Sequence, residues 1–193
     1  MRRWLVDTQL IADWCLWQLA DETHQKRRVE RAADGLPVLT DRGALDALKR
    51  ELAKATVVVA TNVLVEVSGV LWRRLRHGHR GDTDRLNEKI LRTTFRFADR
   101  YNTEVVAVTE EEAEEELKEM NRKTPPKPFD LGDAALLAVL KRKDADCSLL
   151  TSDSGLVDHC FNVGRPNVFR FVQGRILDAK GNPFREDHAK RIT

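Results

Sequence analysis

The run Val57-Val58-Val59-Ala60 constrains this chain more than any other feature. It is too short for a helix and too uniformly apolar for a strand with one wet face, so it reads as a strand buried on both sides. Arg3–Val6, Cys147–Leu150 and Val168–Val172 read as further short apolar strands, and Glu104–Val108 alternates with β-branched residues. Helical stretches separate them. Leu10, Ile11, Trp14, Leu16, Trp17 and Leu19 form one apolar face, continued by the charged stretch Asp21–Arg31. Ala44–Leu52 is a second helix, and Thr61 or Asn62 caps a third that runs from Val63 to about Arg76. Asp84–Arg100, Glu110–Met120 behind the cap Thr109, Leu131–Lys143 and a short stretch after Gly155 complete the set. This alternation predicts an α/β fold with a mostly parallel central sheet covered on both faces. In such sheets ligands sit beyond the carboxyl ends of the strands.

The 193 residues suit one domain with a lobe. We expect a main domain over 1–172, a helical insertion at about 18–55 and a tail over 173–193. In the tail, Arg175-Ile176-Leu177 and Pro183-Phe184 read as a short hairpin. Lys and Arg number 33 against 31 Asp and Glu, a net charge of +2, so any nucleic-acid footprint must come from local clustering. The longest apolar run, Ala134–Leu140, is far short of a membrane span. Asp7 and Asp13 interrupt the apolar start, which argues against a signal peptide. The three cysteines, Cys15, Cys147 and Cys160, are odd in number and widely spaced. They predict free thiols, no zinc knuckle and a cytoplasmic protein.

The acids stand in telling places. Strand Arg3–Val6 runs into Asp7-Thr8, and Cys147–Leu150 runs into Thr151-Ser152-Asp153. If both strands are central and parallel, the two carboxylates share one rim. Glu66 lies in the apolar helical run Val63–Val70, on a face that points toward the sheet. A lone carboxylate there is costly without a cation. Asp130 and Asp133 fall on one face at the start of another apolar helix. Each acid except Glu66 also reads as a helix cap. Four acids gathered at one rim repel each other, and Mg²⁺ or Mn²⁺, which prefer oxygen ligands, relieve that repulsion. Such a site suits attack of water on a phosphodiester.

In this order, Val6-Asp7-Thr8-Gln9-Leu10-Ile11, Asn62-Val63-Leu64-Val65-Glu66, Gly132-Asp133-Ala134-Ala135-Leu136-Leu137-Ala138 and Leu149-Leu150-Thr151-Ser152-Asp153-Ser154-Gly155-Leu156 resemble the four motifs of PIN-domain ribonucleases. The resemblance runs discontinuously over residues 1–172. It implies a three-layer α/β/α fold and an Mg²⁺- or Mn²⁺-dependent endoribonuclease. Carried over residue by residue, it makes Asp7, Glu66, Asp133 and Asp153 the catalytic, metal-binding acids. Thr8 and Thr151, with Asp130, become supports. Gln9 departs from the Asn common at that place, the stretch before Val57 is long, and the tail after Val172 is extra. Many compact members are toxins of toxin–antitoxin pairs, which adds an antitoxin protein to the partners this resemblance suggests.

Arg73, Arg74 and Arg76, with His77, His79 and Arg80, cluster at the far end of the Glu66 helix, roughly 20 Å from the rim. They read as contacts to an RNA backbone or as a solvated helix end. Lys123 and Lys127, beside the proline linker, are a second choice for substrate contact. Trp14 and Trp17 read as core or as a homodimer surface. No GxGxxG, GxxxxGK[ST] or GxSxG pattern occurs, which disfavours nucleotide-cofactor and serine-hydrolase chemistry. Two other functions stay open: a PIN-like RNA-binding or scaffolding module with a degenerate site, favoured by Gln9, and a metal-dependent nuclease acting on DNA.

Overall fold

The computed structural model describes residues 2–23, 42–75, 83–122, 128–142, 146–165 and 167–184. The expected contacts Arg76, Lys123 and Lys127, with the His77–Arg80 loop, most of Asp21–Arg31 and the end of the tail, lie outside the described residues.

In chain order the elements are β1 (Arg2–Val6), α1 (Thr8–Thr23), α2 (Arg42–Leu52), β2 (Ala55–Ala60), α3 (Thr61–Leu75), α4 (Thr83–Arg100), β3 (Glu104–Val106), α5 (Glu110–Asn121), α6 (Leu131–Lys141), β4 (Ser148–Thr151), α7 (Ser154–Asn162), β5 (Val168–Val172) and β6 (Arg175–Leu177). The strands form one sheet in the order β3-β2-β1-β4-β5-β6, with every neighbouring pair parallel except β5 and β6. With helices flanking the sheet, the chain is an α/β protein of three layers, as its strand–helix alternation requires.

The uniformly apolar strands are the central ones. Trp4, Leu5 and Val6 of β1, Val57–Ala60 of β2 and Leu149 and Leu150 of β4 are all buried. Each large aliphatic side chain withdrawn from water in this way contributes about 1.5–3 kcal/mol. The strand expected over Glu104–Val108 stops at Val106, because β3 is the sheet edge and its Val105 is exposed. Thr109 then starts α5 with a capping box to Glu112.

One expectation needs correction and one holds. Trp14 and Trp17 are buried inside the monomer, and Trp14 packs edge-on against Phe97 and Tyr101. They therefore offer no surface to a second copy: α1 is covered by α3 and α4 on its apolar side. In the tail, Arg175–Leu177 pairs with Pro183-Phe184 as expected, and it has a second partner. It is the sixth strand, folded back on β5 through Gln173 and Gly174, whose positive φ values of 48° and 77° give the tight turn that two-residue hairpins favour. The Leu177–Pro183 bridge, with the Phe184 N–H donating to the Ile176 carbonyl at 2.8 Å, completes the expected hairpin. The Phe184 ring packs on Trp4 and Phe169.

Candidate active site

β1 lies beside β4, and the connection leaving β1 runs to β2 on one side while the connection leaving β4 runs to β5 on the other. Open α/β sheets leave a crevice at such a switch point, beyond the carboxyl ends of the strands. Asp7 follows β1 there, and its backbone N–H still donates to the Leu150 carbonyl at 3.1 Å. Thr151 ends β4 beside it. The Thr151 hydroxyl donates to Asp7 Oδ2 at 2.7 Å and accepts the backbone N–H of Asp153 at 3.0 Å. One fully buried hydroxyl thus ties the two strand ends, and both acids, into one arrangement.

The remaining acids come from helix starts. Asp153 caps α7, its Oδ1 accepting the N–H groups of Gly155 and Leu156. Asp130 caps α6 by accepting from Asp133 N–H at 3.0 Å, while Asp133 Oδ2 accepts Asp130 N–H at 3.4 Å. The capping readings of these acids are therefore correct, and they coexist with a place in the cleft. The caps engage Oδ1 of Asp153 and Oδ2 of Asp133, so the second oxygen of each stays outside the cap.

Glu66, on the second turn of α3, accepts a hydrogen bond from the Thr8 hydroxyl at 2.8 Å through Oε2. Its carboxylate lies over Gly132. A Cβ at that glycine would stand 2.6 Å from Glu66 Oε2 and 3.1 Å from Asp130 Oδ1. Glycine at the start of α6 is what lets the α3 carboxylate approach.

Asp7, Glu66, Asp130, Asp133 and Asp153 all line one cleft of about 420 Å³, together with Thr8. Its electrostatics are strained. Burial pushes the Asp7 carboxyl up to about 6, with the Glu66 and Asp153 charges adding to the rise and the Thr151 and Gln9 hydrogen bonds opposing it. Burial, then the neighbouring Asp130 charge, raises Asp133 to about 7, with Asp7 and Asp153 contributing further. Glu66 is raised chiefly by burial, against the Thr8 bond and the Arg73 charge. Among the described residues, no three His, Cys, Asp or Glu side chains converge closely enough to share one ion directly. A hydrated Mg²⁺ needs only one or two carboxylates, the rest of its shell being water. The all-oxygen donor set and the mutual repulsion therefore fit such an ion.

The basic residues are arranged otherwise than expected. Arg73 is exposed on α3. Arg74 lines the acidic cleft instead of marking a distant helix end, because α1 and α3 pack side by side. Its guanidinium donates to Asp13 Oδ1 and to Gln9 Oε1, both at 3.1 Å, and Gln9 Nε2 donates to the same Asp13 oxygen at 3.1 Å. The longer side chain of Gln9 thus bridges an ion pair in the cleft wall.

Two charged residues were missed by sequence reasoning. Asp13 is only 1 % exposed, and burial lifts its carboxyl to about 6 against the pull of Arg74. Arg170 lines the cleft from β5, where it sits level with Thr151, and its Nε is buried without a partner. Both carried the signal that exposed Glu66: a lone charge inside an apolar run, Leu10–Leu19 for one and Val168–Val172 for the other. Compared with known proteins, the chain matches no family model and no curated protein.

Proposed function

We propose that this chain is a metal-dependent endoribonuclease of the PIN type, acting in the cytoplasm on RNA phosphodiester bonds. The observation that carries the reading is the gathering of Asp7, Glu66, Asp133 and Asp153, from four separate segments, around one cleft at the sheet's switch point. Two of these acids are so poorly compensated that their carboxyls are lifted to about 6 and about 7. Such a set is costly as structure alone, since burying unpaired carboxylates lowers stability.

When bound, Mg²⁺ or Mn²⁺ lowers the pKa of an attacking water and offsets charge on the leaving oxygen. One or two of Asp7, Glu66, Asp133 and Asp153 would hold it directly, and the others through its shell of water. Thr151 fixes the Asp7 and Asp153 positions, and Thr8 fixes Glu66. Arg170, whose Nε has no partner, lines the cleft as a cation for a phosphate to meet, beside the Arg74–Asp13 pair held by Gln9.

The test is incubation of the protein with labelled RNA and Mn²⁺, with and without EDTA. Cleavage is expected only with free metal, and Asp7→Asn and Asp133→Asn should abolish it without loss of fold. Unchanged cleavage in these variants refutes the assignment. A second reading, an RNA-binding module without catalysis, is favoured by the lack of any three-residue metal cluster among the described residues. It expects RNA to be retained on a filter yet uncut under every metal condition.

A further inference from the structure

We propose that the cavity beside the acidic cleft is a receptor for one unstacked nucleobase of the bound RNA strand; this rests on the ribonuclease reading. The cavity has a volume of about 580 Å³ and is lined in part by Met120, Phe129, His159, Val163 and Arg122. It shares Asp133 and Asp153 with the acidic cleft, so the two adjoin at these carboxylates. A strand with its phosphate at the acids has its next base within reach of this cavity.

Three features select a base over other occupants. The first is a preset aromatic wall. The Asn121 side chain, at the end of α5, donates to the Phe129 carbonyl at 3.3 Å and accepts the Phe129 N–H at 3.1 Å. Phe129 is thereby fixed just ahead of the α6 cap, half-buried, with its ring meeting His159 at a centroid distance of 4.9 Å. Aromatic rings held in this way are stacking platforms for bases.

The second is charge. Glu116, 3 % exposed, is paired with both Lys141 and Arg165, and Glu119 with Lys141. Of the cations that line the cavity, Arg165 is thus engaged by Glu116 and Arg122 lies near the Glu119 charge, whereas Asp133, Asp153 and Asp158 add three carboxylates to the lining. This surface repels a phosphate and suits a neutral planar group whose exocyclic amines donate to carboxylates. The third is size: the volume falls in the range of small-molecule pockets and exceeds what one amino-acid side chain would fill.

The experiment is fluorescence anisotropy on the full chain in Ca²⁺ buffer. The probes are a short single-stranded RNA and copies carrying one abasic site at successive positions. One abasic position is expected to weaken binding on the order of 10-fold, the worth of one stacked base. Phe129→Ala should weaken the intact RNA by a similar factor and abolish the effect of that abasic site, whereas Phe129→Trp restores it. A flat abasic scan on the unmutated protein overturns the proposal without recourse to any variant. Losses from Phe129→Ala and the abasic site that multiply overturn it too, as does a basic peptide occupying the cavity while abasic and intact RNA bind alike. The two readings fail separately. A flat scan with RNA still cut in Mn²⁺ removes the base receptor and leaves the nuclease. Base-dependent binding with no cleavage in any metal removes the nuclease and leaves the receptor.

Discussion

Gly132→Ala separates the chemistry of the cleft from the stability of the fold. The added Cβ would stand 2.6 Å from Glu66 Oε2, against an ordinary contact of 3.4 Å or more, so the carboxylate must retreat by about 0.8 Å. Backbone is not the obstacle: the Cβ meets the tip of Glu66, a flexible side chain with solvent beside it, and presses more mildly, at 3.1 Å, on the capping Oδ1 of Asp130. Glu66 therefore swings away and gives up its bond from Thr8. The lost bond costs about 1 kcal/mol, and alanine in a helix is favoured over glycine by up to about 1 kcal/mol. The two nearly cancel. Unfolding in urea should move by less than about 1 kcal/mol in total, since no core contact changes. Metal ligation tolerates only about 0.2 Å, so Mn²⁺ affinity measured by calorimetry should fall about 10–100-fold, with RNA cleavage falling alongside. A Gly132→Ala protein that binds Mn²⁺ as tightly as the parent refutes the role given to Glu66. A collapse in stability refutes the claim that the clash is confined to side-chain tips.

The raised Asp7 carboxyl makes Asp7→Asn stabilising in the metal-free protein. A folded value of about 6 against 3.8 means the fold favours the protonated form, so that stability is present below about 3.8 and lost as pH rises through 6. At pH 8 the ionised group costs about 3 kcal/mol; less about 1 kcal/mol for the Gln9 N–H bond that an amide keeps poorly, Tm in EDTA should rise by about 4–8 °C, with no gain at pH 4. Thr151→Val strips one hydroxyl from both Asp7 and the Asp153 N–H, and urea unfolding should report a loss of about 2–3 kcal/mol. Because that bond favours ionised Asp7, the acidic limb of the cleavage–pH profile should move to higher pH in this variant. Arg74→Met leaves Asp13 buried without its cation and should cost about 3 kcal/mol at pH 8. The loss should shrink as pH falls towards 6, because without the pull of Arg74 the Asp13 carboxyl takes up its proton above the parent's value of about 6, and circular dichroism melts at pH 8 and pH 6 check it.

Much of the architecture was legible because it depends on local period. The run Val57–Ala60 and its counterparts became the buried centre of the sheet, and each helix expected among the described residues is present. Glu66 was legible for a related reason, as a charge that an apolar helical face cannot leave unexplained. Asp130 and Asp153, read as caps, are caps, with Asp133 closing the capping box of Asp130. Asp13 and Arg170 broke their apolar runs in the same way as Glu66, yet their partners lie on other elements. Nothing within Leu10–Leu19 says that Arg74, 61 residues later, neutralises Asp13.

By itself the sequence determined the alternation of strands and helices, the burial of the central strands and the placing of acids at strand and helix ends. Those follow from hydrophobic period and capping chemistry, which act over a few residues. Tertiary structure alone decided that β1 lies between β2 and β4, which brings Thr151 onto Asp7. It also decided that α3 lies along α1 with Arg74 in the cleft wall, and that Gly132 makes room for Glu66. Strand order and helix packing set distances between segments far apart in the chain, and no local pattern encodes them.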